Sequence, residues 1–137
     1  MGNTNAKKVA WITGGGTGIG LATAQRLAGQ GWHVAVSGRR EAELKAACDA
    51  IAAAGGTAEA VPLDVSDAAA VSKAAEGILA RNGRIDALVC SAGTNVPNRY
   101  WKDLTPAAFA KVSAINLNGV AFCVGSVLPT MRAAGGG

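Results

Sequence analysis

The chain has 137 residues, half of them hydrophobic and only 16% charged, a balance that excludes intrinsic disorder and predicts one compact domain. Its 19 glycines follow no three-residue period, and aromatics are only 4%. These values exclude a collagen-like chain and call for a core of close helix–sheet contacts, which 30 alanines permit. A net charge of +4 suggests an anionic ligand, while the lack of any run of five like charges or of an aromatic-basic patch argues against a nucleic-acid partner.

The first β-rich run is Lys8 to Thr13, followed by a helix from about Gly18 whose Ile19, Ala22, Thr23 and Leu27 recur at helical spacing up to Gly29 or Gly31. His33 to Ser37 reads as a second strand, Glu41 to Ala54 as a helix ended by Gly55-Gly56, and Thr57 to Leu63 as a third strand. Asp67 is placed to cap a helix running to Asn82-Gly83. Asp86 to Cys90 makes a fourth strand, and Thr105-Pro106 starts one last helix that continues to about Arg132. This alternation implies an α/β fold: a three-layer, Rossmann-like parallel sheet in strand order 3-2-1-4, ending before a fifth strand. The fourth strand would then be an unpaired edge.

Cys48, Cys90 and Cys123 are odd in number and form no C-x-x-C pair, as expected of buried, reduced thiols in a cytosolic protein. Met1 to Lys8 has no apolar leader core, and Met1 to Ala6 lacks the Ser or Thr of a myristoylation signal. The longest apolar stretch, Gly119 to Pro129, is too short to span a bilayer. The expectation is a cytoplasmic protein without a membrane partner. His33 is the single histidine, which leaves no set of residues for a metal cluster or a His-based triad, so no metal is expected.

Between the first strand and the first helix lies Thr13-Gly14-Gly15-Gly16-Thr17-Gly18-Ile19-Gly20. Free backbone N–H groups and the helix dipole favour phosphate at such a junction, and a Cβ would keep a pyrophosphate from the backbone. Gly15 is followed five residues on by Gly20 and then by Leu21-Ala22, not Lys-Ser/Thr, so a P-loop is excluded. The spacing is T-G-x-x-x-G-x-G.

With Leu63-Asp64-Val65, Ile85-Asp86-Ala87-Leu88-Val89-Cys90-Ser91-Ala92-Gly93 and Asn116-Leu117-Asn118-Gly119 in the same order, the chain resembles the short-chain dehydrogenase/reductase family over nearly its whole length. That resemblance implies an oxidoreductase transferring hydride to or from a carbonyl or alcohol, and a single NAD(P)-binding domain over residues 1–137, incomplete at its C-terminal end. Gly14, Thr17, Gly18, Ile19 and Gly20 would serve the pyrophosphate, Asp64 and Val65 the adenine, and Ser91, Ala92 and Gly93 the ribose. The family usually has Asn-Asn-Ala-Gly where this chain has Cys90-Ser91-Ala92-Gly93, which replaces two amides by a thiol and a hydroxyl.

An adenosine 2′-hydroxyl calls for an acid at the end of the second strand, and a 2′-phosphate calls for Arg. Gly38 stands where the family's NAD-type Asp would be, with Arg39 next to it, so NADP(H) is favoured over NAD(H). Arg39 and Arg40 could alternatively be surface charges paired with Glu41 or Glu43. The family's Ser and Tyr-x-x-x-Lys would fall beyond Gly137; Tyr100 has Leu104 four places on, and Lys102 is only two away. Of the usual catalytic residues only Asn116 is expected here, helping to hold the water that leads to the Lys. Trp101 and Asp103 are candidates for a substrate lid. By itself the chain is expected to bind dinucleotide weakly and to catalyse nothing. The alternative is a non-catalytic dinucleotide-binding or assembly module, pairing through the fourth strand and last helix as a homo-oligomer or with a missing half.

Overall fold

The computed structural model describes residues 6–137. Residues 1–5, where part of the leader and myristoylation reading falls, lie outside the described residues. The elements in chain order are β1 (Val9–Thr13), α1 (Gly18–Gly29), β2 (His33–Gly38), α2 (Glu41–Ala53), β3 (Thr57–Pro62), α3 (Ala68–Asn82), β4 (Ala87–Cys90), α4 (Pro106–Ser113), a π turn (Ala114–Asn118) and α5 (Gly119–Ala133). All strand pairs are parallel, in order β3-β2-β1-β4.

All five residues of the central strand β1 are buried, which is why it reads as an uninterrupted apolar run. The two-residue side-chain period divides it between two cores. Ala10 and Ile12 face α1 and α2 with Ala24, Ala28, Leu44 and Ile51. Val9 and Trp11 face α3 and α5 with Val71, Ala75, Ile78, Cys123 and Val127. Alanine at both ends of the α1 contact brings that helix close to the sheet, as the composition required.

The helix ends follow the sequence signals. The Asp67 carboxylate accepts from the Ala70 amide at 3.0 Å, Gly83 closes α3 at φ 77°, and the Thr105 hydroxyl accepts from the Ala108 amide at 3.1 Å with Pro106 beginning α4. One expectation needs correction. The last helix is not uniform: a π turn over Ala114–Asn118 separates α4 from α5. Asn116 in that turn is tied to the Thr94 backbone, a contact that a uniform α-helical repeat does not predict.

The apolar segment is also longer than expected. Pro106–Ala133 forms a continuous helical run of 28 residues, long and apolar enough to cross a membrane by length and composition alone. Its Gly119, Cys123 and Val127 are buried against α3 and the sheet, while Phe109, Leu117, Val124 and Leu128 are exposed. At the far edge, Glu59 of β3 gathers Arg81, Asn82 and His33 and so fastens that strand to α3. His33 is thus a strand residue with a structural partner.

Candidate functional site

The C-terminal ends of β1, β2, β3 and β4 open into a cleft of about 340 Å³. Ten of the sequence-assigned residues line it: Gly14, Thr17, Gly18, Ile19, Arg39, Asp64, Val65, Ser91, Ala92 and Gly93. The glycine loop forms its floor. Gly14 has φ +66°, and a Cβ there would lie 2.7 Å from the Ser91 carbonyl carbon and oxygen. Gly18 has φ +56° with open space beside it, so its requirement is conformational. Thr17 makes no side-chain cap, which leaves the first N–H groups of α1 free for an anion. Ile19, 81% exposed, projects at the same helix end.

Gly20, assigned to the pyrophosphate, does not line the cleft. A Cβ on it would fall 2.1 Å from the Gly14 carbonyl oxygen, so only glycine lets α1 press this close to the loop. Asn116 also does not line the cleft, and it is exposed. Its Oδ1 accepts from the Thr94 amide at 2.8 Å and its Nδ2 donates to the Thr94 carbonyl at 2.9 Å, a two-point tie to a cleft residue. The Asn116 side chain thus ties the π turn to the loop after β4.

Thr13, which opens the motif, joins it to β4. Its carbonyl accepts from the Ser91 amide at 3.2 Å and its buried hydroxyl accepts from the Ala92 amide at 3.3 Å. These bonds hold the end of β4 to the loop where the family's two Asn residues are replaced. Ser37 and Ile115 also line the cleft without having been expected there. The Ser37 hydroxyl accepts from the buried Trp11 indole at 2.9 Å.

At the adenosine end, the Asp64 Oδ1 accepts from the Ser66 hydroxyl at 2.7 Å and from the Ser66 amide at 3.0 Å. These two bonds hold its carboxyl below the usual carboxylate range, and the charge of Arg39 assists. The helix cap is Asp67, so Asp64 is not needed for capping. Arg40 pairs with Glu43 at 2.6 Å. Arg39 lines the cleft and has no ion-pair partner among the described residues. Glu41 lies outside this cleft, in a shallow depression with Lys45 and Pro62. Trp101, the lid candidate, is 87% exposed and does not line the cleft, and Asp103 only approaches Lys102 at 4.0 Å.

The donor set suits a dinucleotide: a glycine loop at an uncapped helix N-terminus, a carboxylate and an arginine across the far end, and small residues along β4. Residues 8–137 match the family model described as short chain dehydrogenase. The chain is 40% identical over 131 residues to the short-chain reductase protein NovJ of Streptomyces niveus, covering 96% of this chain and 50% of that one. It is 38% identical over 130 residues to the 2-dehydro-3-deoxy-L-rhamnonate dehydrogenase (NAD(+)) of a Sphingomonas species, covering 92% and 49%. A solved metagenomic short-chain oxidoreductase in complex with NADP superposes with a TM-score of 0.92 at 35% identity, covering 96% of this chain and 60% of that chain. The chain thus spans about half the length of the curated relatives it matches. On sequence and fold together, it belongs to the short-chain dehydrogenase family of oxidoreductases.

Proposed function

We propose that residues 1–137 form the NADP(H)-binding part of a cytoplasmic oxidoreductase that acts on a small carbonyl or alcohol. Arg39 carries the cofactor preference. It lines the cleft without a carboxylate partner among the described residues, whereas Arg40 is already engaged by Glu43. Gly38 leaves the end of β2 without the acid that a 2′-hydroxyl would require. The relatives supply no decision of their own, since one is named for NAD(+) and a structural neighbour holds NADP.

In this reading the bound dinucleotide supplies the hydride, and the chain binds and orients it. The α1 N-terminus and loop amides take the pyrophosphate, Asp64 and the Val65 backbone hold the adenine, Arg39 takes the 2′-phosphate, and Ser91, Ala92 and Gly93 allow close approach of the ribose. Asn116 fixes Thr94 at the border of the reaction site. Within the 137 residues, Tyr100 has no Lys four places on, so a proton donor is not supplied by this stretch, and it is inactive by itself. Exposed Leu117 of the π turn and Val124 and Leu128 of α5 lie beside the buried face that carries Cys123 and Val127, and offer a surface for homo-oligomerisation. No nucleic-acid or membrane partner is part of this proposal.

The test is a titration of both reduced cofactors followed by tryptophan fluorescence, since Trp11 bonds to the cleft residue Ser37. NADPH should bind tighter than NADH by about tenfold or more, the worth of a charge-assisted hydrogen bond. Arg39→Ala should bring the two close together. Equal affinities in the unmodified chain would refute the preference.

A further inference from the structure

The two adjacent arginines after β2 differ in what holds them. Arg39 and Arg40 both line the cleft, and so does Glu43. Arg40 is the N-cap of α2, and Glu43 stands three residues on, in the first turn of that helix. A glutamate at this place can reach back to the N-cap backbone amide. Here its Oε1 instead pairs with the Arg40 guanidinium, 2.6 Å from Nη1. The carboxylate that could have closed the helix end is spent on a cleft arginine.

Packing fixes the place from which Glu43 acts. The next residue, Leu44, is 1% exposed, and a Cβ on Gly38 would lie 3.4 Å from its Cδ2. On the other side, a Cβ on Gly16 of the glycine loop would lie 3.4 Å from the Glu43 Cβ. The start of α2 is thus seated against both the loop and the end of β2, and the carboxylate enters the cleft from a fixed backbone position.

We propose that Glu43 is a specificity-determining residue that limits the preference for NADP(H) by occupying Arg40 and so withholding a second guanidinium from the 2′-phosphate. The proposal rests on the reading of Arg39 as the ligand of that phosphate. In the unmodified chain, a phosphate that approached Arg40 would meet the Glu43 carboxylate at the same guanidinium, and the like-charge contact offsets what the new bond gains. Without that carboxylate, Arg40 is released to make a charge-assisted bond to the phosphate. Such a bond is stronger than the pair it replaces, because the pair is exposed to water: the Arg40 side chain is 70% exposed and that of Glu43 34%. Loss of the negative charge alone matters less, since solvent and salt screen it. NADH presents a neutral 2′-hydroxyl and gains nothing from a free Arg40.

The experiment titrates NADPH and NADH into the 137-residue chain and its variants at one salt concentration, followed by tryptophan fluorescence. Glu43→Gln keeps the length of the side chain, and Glu43→Ala removes the acceptor altogether. Glu43→Ala should tighten NADPH by about fivefold, the margin of a charge-assisted bond over an exposed ion pair, and leave NADH within about twofold. Glu43→Gln should move in the same direction by a smaller factor. Arg40→Ala in the unmodified chain should change NADPH binding by less than about twofold, because Arg40 is occupied there. In the Arg40→Ala background the Glu43 substitutions should give no gain. Unchanged NADPH affinity in Glu43→Ala, an equal gain for NADH, or a gain that persists without Arg40 overturns the proposal. Arg39→Ala in the same titration separates this proposal from the reading beneath it. Collapse of the cofactor gap in Arg39→Ala, with no gain in Glu43→Ala, overturns the role of Glu43 alone. A gap that Arg39→Ala leaves unchanged overturns the Arg39 reading, and a chain that binds neither cofactor overturns both.

Discussion

Gly14→Ala should be among the most damaging single-methyl changes in the chain. Alanine at φ +66° costs about 1 kcal/mol in backbone conformation. The new Cβ would lie 2.7 Å from the Ser91 carbonyl carbon and oxygen and 2.8 Å from the Ala92 nitrogen, all backbone atoms that no rotamer change can clear. Relief requires separating the loop from the end of β4, which sacrifices the Ser91 amide bond to the Thr13 carbonyl and the Ala92 amide bond to the Thr13 hydroxyl. At about 1 kcal/mol each, these bring the cost to about 3 kcal/mol, a large share of a domain's total stability. Gly18→Ala is the matched control: its φ is +56° but nothing lies within 4 Å of the added carbon, so only the conformational cost of about 1 kcal/mol applies. Urea unfolding followed by circular dichroism and tryptophan fluorescence measures both. If Gly14→Ala is no more destabilising than Gly18→Ala, the close approach of β4 to the loop does not carry the energy assigned to it.

Asn116→Ala removes both bonds to Thr94 and should raise amide exchange at Thr94 while costing about 1–2 kcal/mol in urea unfolding; unchanged exchange would mean that the loop is held otherwise. Acid stability should depend on Asp86. Burial pushes its carboxyl up, but Arg84, the Val9 amide and Lys8 outweigh this and leave it below the usual carboxylate range. A lowered folded pKa contributes stability above the unfolded value of about 3.9 and loses it as pH falls through the folded value. Asp86→Asn should therefore be less stable than the unmodified chain at pH 6, with the gap shrinking below about pH 4; a gap independent of pH would contradict this.

Much of the fold is written locally. β1 is buried on both faces and so reads as a plain apolar run, and Asp67, Thr105-Pro106 and Gly83 mark helix ends through short-range backbone bonds. The cleft was also legible, because the glycine spacing encodes a loop geometry and the ends of parallel strands bring distant segments to it. What stayed hidden depends on contacts between segments. The π turn has no propensity signature of its own, and its Asn116 is tied to a backbone 22 residues away. Which of Arg39 and Arg40 remains available is decided by the i,i+3 partner Glu43, and adjacent arginines look alike in sequence. At Gly20 the close approach of the Gly14 backbone was hidden, because a missing side chain is equally suited to admitting phosphate and to admitting another backbone.

The alanine contacts of α1 give the anion site a remote control point. The helix is 12 residues, a rod about 18 Å long. Its phosphate-facing end is free, while near its other end Ala28 is wedged by the loop before β3: a Cβ on Gly56 would sit 3.0 Å from the Ala28 Cβ and 2.8 Å from Ile51 Cγ2. A bulkier side chain at either position would act on the rod as on a lever, swinging the dipole at the opposite tip. Substitution of Ala28 or Gly56, neither of which lines the cleft, is therefore expected to weaken cofactor binding through the position of α1 alone.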